Sequence, residues 1–253
     1  MVSKSRVTIL VKASPQPSKK HSETVCCAGL QEDGNWQRLF PIRFRRLSGG
    51  KAFKRWDIVD FSYTKPRDDS RVESCRVHEE SLEIVGRVKA PAEKSSLIER
   101  ALVDSEIEAI GKDQSLAIIR PTEVSLTWKA LSESELREDQ EKFAAQAAQL
   151  SLLEEEIASY SPCPYKFTMR YRDGGGLHNK TCADWETSAA FFNLRRSMEE
   201  TAVLKHLECT YCEDYVASGL VLALGNMKKR PKTWQLLGIF PVKPLAQADL
   251  FGH

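Results

Sequence analysis

His178, Asp184 and Glu186 fall within residues 178–186, and a histidine with two carboxylates can hold a divalent cation or pass a proton. The chemistry they would serve is hydrolytic, a nuclease-type, metal-dependent reaction on DNA or nucleotides. On a regular helix, positions 184 and 186 point about 200° apart, so joint ligation requires the helix to start between them. Asp184 reads equally as a helix cap, and Glu186 as a first-turn charge that favours the helix dipole. Cys209-x-x-Cys212, with His178 and Cys182, has the ligand types of a zinc site. One straight helix over 181–206 would hold its ends about 35 Å apart, and only a hairpin of two shorter helices would bring these four together. A lone Cys-x-x-Cys is commonly a pair of buried thiols, so neither zinc nor any other cofactor is expected. A divalent cation belongs to the enzyme alternative alone. The chain has no phosphate-cradling glycine loop and no Gly-x-Ser-x-Gly elbow, which argues against nucleotide hydrolysis.

A second chemistry is charge recognition. Arg38, Arg43, Arg45, Arg46, Lys51, Lys54 and Arg55 are interleaved with Trp36, Phe40, Phe44, Phe53 and Trp56. Guanidinium and ammonium groups neutralise phosphates, and aromatic rings stack on unpaired bases. Strand alternation sends some of these rings inward, so part of the pattern is core. The formal net charge of +2 conceals segregation: residues 1–60 carry 12 Lys/Arg against 5 Asp/Glu, whereas residues 131–160 carry 2 against 8. A basic N-terminal module is therefore separated by an acidic stretch from a mildly basic C-terminal one, with 12 cations against 9 carboxylates over 161–253.

The third signal is Gln247-Ala248-Asp249-Leu250-Phe251. It resembles the short peptide by which bacterial polymerases, repair proteins and some nucleases dock on the sliding clamp. The resemblance implies that Gln247 fills a polar pocket and that Leu250 and Phe251, with Asp249 between, enter a hydrophobic cleft. Burying the two apolar side chains would contribute roughly 2 to 3 kcal/mol each before ordering costs, enough for micromolar binding.

These groups need elements to hold them. From Arg6 to Val88 the apolar runs are short, β-branched or aromatic and bounded by turn residues, which is strand punctuation. Six strands are expected, at residues 7–12, 24–30, 36–42, 57–63, 73–77 and 82–88, with Asp33-Gly34 as a hairpin turn. Such closely spaced strands point to a small barrel. Ser14 to Lys20 reads as a loop too Pro-rich to pair. One helix is expected from Ser95 to Gly111, capped by serine and stopped by glycine. Residues 116–120 and 124–128 read as strands that extend the first sheet. Ser132 to Tyr160 should be helical where ordered, with Phe143, Ala147, Leu150 and Leu153 inward. Then follow a strand at 165–171, a turn at Asp173–Gly176, a helix from about Thr181 to His206 broken near 193–197, and strands at 215–224 and 233–242. No apolar run reaches the ~18 to 20 residues of a membrane span, and no signal peptide is evident. Seven cysteines without an export signal fit free thiols in a cytoplasm.

Glu23-Thr-Val-Cys-Cys-Ala-Gly-Leu30 and Gly34-Asn-Trp-Gln-Arg-Leu-Phe-Pro-Ile42 together resemble the opening of uncharacterised bacterial proteins that carry OB-like barrels and are associated with DNA-modification or phage-defence genes. Tyr165-Lys-Phe167, His178 and Asp184-Trp-Glu186 are similar to a companion block of that group. There, cysteines precede the histidine; here Met169 to Gly176 has none, and no metal role is carried over.

The expected fold is α+β: a basic barrel module over 1–130, an acidic helical connector over 131–160, a C-terminal α/β module over 161–245 with a long helix or helix pair and antiparallel strands, and a tail over 246–253. The leading expectation is a cytoplasmic DNA-associated binding or sensing protein recruited to the clamp, in phage defence or genome maintenance. Its partners would be DNA, the clamp and other subunits of a defence complex, with no membrane. The alternatives are the nuclease-like enzyme and a non-catalytic interaction subunit of a larger complex.

Overall fold

Five strands close on themselves into a ring at the N-terminal end of the computed structural model. The structure describes residues 1–14, 16–18, 22–43, 47, 51–150 and 162–245, with backbone alone at 16–18, 22–25 and 142–150. Strands β1 (Ser3–Lys12), β3 (Ser22–Leu30), β4 (Trp36–Ile42), β5 (Asp57–Thr64) and β6 (Ser74–Arg87) run in the order β1-β5-β6-β4-β3, and a β1–β3 pairing joins the ends. Neighbours are antiparallel except β4 and β6, which pair in parallel through Arg38↔Ser74 to Phe40↔Arg76. The β3–β4 turn is the expected one: Gly34 has φ +88, and a Cβ there would lie 2.9 Å from the Arg100 carbonyl oxygen. Glycine tolerates both conditions.

Two expectations for this region are corrected. The Pro-rich segment does pair: β2 (Gln16–Ser18) lies on β3, with Pro17 opposite Glu23. A three-residue edge strand can carry proline because one side needs no donor. The two strands expected at 73–77 and 82–88 are one, β6, which bends past register shifts against β5.

The expected helix of 95–111 is two. Helix α1 (Pro91–Ala101) begins at a proline, where a missing N–H costs nothing, and α2 (Glu106–Gly111) is capped by Ser105 Oγ, which accepts from the Glu108 N–H at 3.2 Å. Between them Leu102 bridges to Ile118.

Strand β7 (Leu116–Ile119) and strand β8 (Thr122–Ala130) do not extend the ring. β7 pairs with β11 (Leu220–Met227), which pairs with β12 (Arg230–Pro241). β8 pairs with β9 (Tyr165–Asp173), which forms a hairpin with β10 (Gly176–Thr181).

The β7-β11-β12 sheet is the middle layer of the molecule. Leu116, Ile118, Val221, Ala223, Leu237 and Phe240 pack against Leu10, Leu30, Trp36 and Trp56 of the ring module. Ala117, Ile119, Leu222, Leu224, Leu236 and Ile239 face the other way, onto Leu126, Phe167, Met169 and Tyr171 of the β8-β9-β10 sheet and onto Phe191, Val203 and Leu207. A strand buried on both faces is uniformly apolar rather than alternating, which is why Leu116–Ile119 and Leu220–Leu224 read as continuous runs. A third core fills the ring itself, from Val7, Ile9, Leu39, Ile42, Phe53, Val59 and Phe61.

Helix α3 (Glu133–Leu150) starts at a capping box, Ser132 Oγ accepting from the Glu135 N–H while Glu135 Oε2 accepts from the Ser132 N–H, and runs to β2 and β3. The inward positions expected at Phe143, Ala147, Leu150 and Leu153 lie outside the described side chains. The long C-terminal helix is a pair, α4 (Trp185–Leu194) and α5 (Glu200–Cys209), continued by a π-helical turn at Thr210–Asp214 and α6 (Tyr215–Ala217). The whole is α+β, about 46% strand and 26% helix. Among the described residues, no helix is long and apolar enough to cross a membrane.

Candidate nucleic-acid interface

The basic, aromatic segment of 36–56 divides between interior and surface. Trp36, Phe53 and Trp56 are buried, as is Arg38, which is 3% exposed. Arg38 leaves the ring on its outer side and meets the middle sheet: Nε donates to Ser115 Oγ at 2.9 Å, and Nη2 to the carbonyls of Ser115 and Asn226. Ser115 in turn donates from Oγ and from its N–H to the buried Glu73 carboxylate, at 2.8 and 2.6 Å. Desolvation lowers the Arg38 pKa below the usual guanidinium value, and the charge is retained because carbonyls, a hydroxyl and a nearby carboxylate surround it. Arg55 is spent in the same way. Its Nε and Nη1 donate to the carbonyls of Leu10 and Ile239, Nη2 lies 3.5 Å from the Asp184 carboxylate, and its plane sits 4.7 Å from the Phe240 ring centre. Trp36, Arg38 and Arg55 therefore join the ring to the rest of the chain and are withdrawn from the expected nucleic-acid face.

The cations that stay outside come from separate segments. Arg43 is exposed and paired with Glu79 at 2.7 Å, and Lys51 donates to the Glu80 carbonyl at 2.6 Å. Lys54 is exposed, its N–H bonded to Asp57. Arg45 and Arg46 lie outside the described residues. Phe40, 39% exposed, points outward two positions after Arg38 and stands opposite Arg76. Arg76 reaches Asp68 Oδ1 at 2.9 Å, and Lys228 reaches Asp68 Oδ2 at 2.7 Å from the β11–β12 turn, 160 positions later. Lys229 completes that turn, Arg230 and Lys232 open β12, and Lys65 and Arg67 flank Asp68; all five are exposed. The loop is fixed from inside. Arg71 donates to the Asn226 carbonyl and pairs with Asp69 at 2.7 Å. Burial pushes the Asp69 carboxyl up, but hydrogen bonds from Arg71 and Ser74 outweigh it and bring it down to about 2. One exposed carboxylate thus anchors a surface rich in cations beside an exposed aromatic ring.

This surface was only partly visible in the sequence. Residues 65–76 carry both signs, and Lys228–Pro231 reads as the join between two strands; their meeting depends on the ring docking against the middle sheet.

His178, Asp184 and Glu186 are not brought together. His178 Nε2 lies 2.7 Å from Asp173 Oδ1, and its ring stands against Tyr171. Asp184 is the N-cap of α4, accepting from the Glu186 N–H at 3.2 Å and from the Ile239 N–H at 3.3 Å. It is almost wholly buried, and desolvation, only partly offset by Arg55, lifts its pKa from 3.8 to about 6. Glu186 pairs with Lys12 at 2.6 Å. His178 is thus held by Asp173, while Asp184 and Glu186 share the start of α4 with their carboxylates turned to Arg55 and Lys12 respectively.

Cys182 bonds to Thr187, and burial pushes its thiol up to about 12, while Cys209 bonds to Glu213. All seven cysteines are free thiols, and among the described residues no three His, Cys, Asp or Glu side chains are grouped to hold a metal ion. Gln247, Asp249, Leu250 and Phe251 lie outside the described residues.

The chain is thus an α+β protein in which a closed five-stranded ring docks on a three-stranded middle sheet. Residues 100–253 match the model of a domain of unknown function, DUF8757, and the chain belongs to that family. Residues 3–101 match a second domain of unknown function, DUF8758. The two matches meet at the C-terminal end of α1, and β7 and β8 fall with the strands they pair with. No curated protein matches the chain.

Proposed function

We propose that this is a nucleic-acid-binding protein whose five-stranded ring is an OB-like barrel, and that Gln247–Phe251 recruits it to a bacterial sliding clamp. The observation that carries the binding proposal is the convergence of Arg76 and Lys228 on Asp68 beside Phe40. OB-type rings are five-stranded Greek keys that take oligonucleotides on the face of their second and third strands and on the loops at its edge. Here those strands are β3 and β4. Trp36 and Arg38, in the first half of β4, are covered by the middle sheet, which leaves Phe40, Arg43 and the 65–73 loop as the open part. Exposed cations from two segments suit a phosphodiester backbone, and Phe40 suits a stacked base. The separate partners of His178, Asp184 and Glu186 favour binding over turnover.

The test is fluorescence anisotropy with labelled 24-nucleotide single-stranded and 24-base-pair DNA across a salt series. Log affinity should fall linearly with log salt, and glutamine at Arg76, Lys228, Lys229 and Arg230 should flatten the slope by about one per cation removed. Salt-independent binding, or none, would refute the proposal and favour an interaction subunit.

A further inference from the structure

We infer that the outer face of the β8-β9-β10 sheet is a second contact surface for a nucleic-acid backbone, separate from the ring. It rests on the reading that the chain meets nucleic acid at all. The register of the three strands defines four outward rungs: Lys129–Lys166, Thr127–Thr168–Thr181, Ser125–Arg170–Asn179, and Thr122–Arg172–Leu177. The residues between them, Leu126, Phe167, Met169 and Tyr171, are buried in the core, so alternation fixes the rungs on the open side. Lys129, Lys166, Arg170 and Arg172 are all exposed. No rung residue is acidic.

The chemistry of this face is selective. Four cations, one amide and the hydroxyls of Ser125, Thr168 and Thr181 are donors suited to phosphate oxygens, while Thr122 and Thr127 donate to backbone carbonyls; no aromatic ring on these rungs is turned outward to stack on a base. That fits a backbone read without sequence preference. Along β9, Lys166 to Arg172 spans roughly 20 Å at the rise of a strand, the reach of several phosphates. Two carboxylates approach the face from its ends: Glu123 pairs with Arg172 at 2.8 Å, and Glu135, at the start of α3, feels Lys129 and Lys166. The centre, at Thr127, Thr168 and Arg170, has no acidic residue on its own rungs, and Glu123 acts on Arg170 from the end of the face. Lys129 and Lys166 stand directly opposite each other, and Glu135 sets one carboxylate against their two charges, which leaves this rung with net positive charge. A phosphodiester chain complements the remainder.

The experiment uses the full chain and a labelled 40-base-pair duplex of mixed sequence. A variant with Lys129→Gln, Lys166→Gln and Arg170→Gln leaves the Arg172–Glu123 pair in place and should keep the parent melting temperature. Its affinity at 50 mM salt should fall about 10- to 100-fold, and its salt slope should flatten by between about 2 and 3. Thr127→Glu, which adds repulsion and gives up the hydroxyl's bond to the Thr168 carbonyl, should lower affinity in the same direction. Parent-like affinity and slope in both variants, with binding still weakened by glutamine at Arg76 and Lys228, would overturn the second surface and leave the first. No duplex binding by the parent chain would overturn both. Binding of the parent to phosphatidylserine vesicles but not to the duplex would also overturn the inference.

Discussion

The hydroxyl of Ser115 accepts a hydrogen bond from Arg38 Nε at 2.9 Å in a buried site between the ring and the middle sheet. The same oxygen donates to Glu73 at 2.8 Å, so one serine links a buried cation to a buried carboxylate. Replacing Ser115 with alanine should cost about 1.5 to 3 kcal/mol, the range for hydrogen bonds to charged groups. Arg38→Met should cost more, about 3 to 5 kcal/mol, because the buried Glu73 carboxylate loses Arg38 and keeps Arg71 as a nearby cation. Urea denaturation checks both. Neither change should alter the salt slope of DNA binding, since Arg38 has no surface to offer.

Asp184 gives the fold a pH dependence of unusual sign. Burial holds its carboxyl at about 6 rather than 3.8, so the folded chain binds this proton more tightly than the unfolded chain. The stabilising contribution is full below about pH 4, declines as pH rises through about 6, and is lost above about pH 7, with a total of about 3 kcal/mol. Asp184→Asn mimics the protonated form in charge but leaves the Ile239 N–H facing an amide donor. It should therefore be less stable than the parent at neutral pH. Between pH 4 and 7 the parent should lose stability with rising pH relative to Asp184→Asn, as read from urea midpoints; parallel curves would assign the buried carboxylate an ordinary pKa.

Phe40 separates stacking from packing. It is 39% exposed while its strand neighbours Leu39 and Ile42 are fully buried, so Phe40→Ala should move the melting temperature little. If the ring stacks on an unpaired base, single-stranded DNA affinity should drop by about 1 to 3 kcal/mol, with duplex affinity changed less. Equal losses on both substrates would mean that Phe40 supports the loop rather than the base.

What the residues revealed follows the range of the interactions involved. Strand β4 was legible to its ends, because Trp36 to Ile42 is a short run rich in aromatic and aliphatic residues bounded by turn residues, and Gly34 marked its hairpin. Asp184 could be read as a cap because capping is local. Arg38 and Arg55 looked like phosphate ligands because a buried arginine and a surface arginine have the same neighbours in sequence. Only the docking of Ser115, Asn226 and Ile239 decides between them. Leu116–Ile119 reads as part of the first sheet for a related reason: a continuous apolar run states that both faces are covered but does not name its partner. The Lys228–Asp68 contact joins positions too far apart for any local pattern to announce.

The clamp proposal depends on two apolar side chains within five residues, and it can be tested without reference to the DNA surface. Leu250→Ala and Phe251→Ala, made singly in the full chain, should each weaken capture by an immobilised bacterial sliding clamp by about 2 to 3 kcal/mol, the worth of burying such a side chain. Gln247→Ala should weaken it less, since an amide exchanges hydrogen bonds with water for those with protein. Melting temperature and the salt slope for DNA should match the parent in all three. Surface plasmon resonance against the clamp reads the first quantity, and anisotropy reads the second. If Phe251→Ala binds the clamp as the parent does, the peptide has no part in recruitment, and any association with replicating DNA must come from the basic surfaces alone.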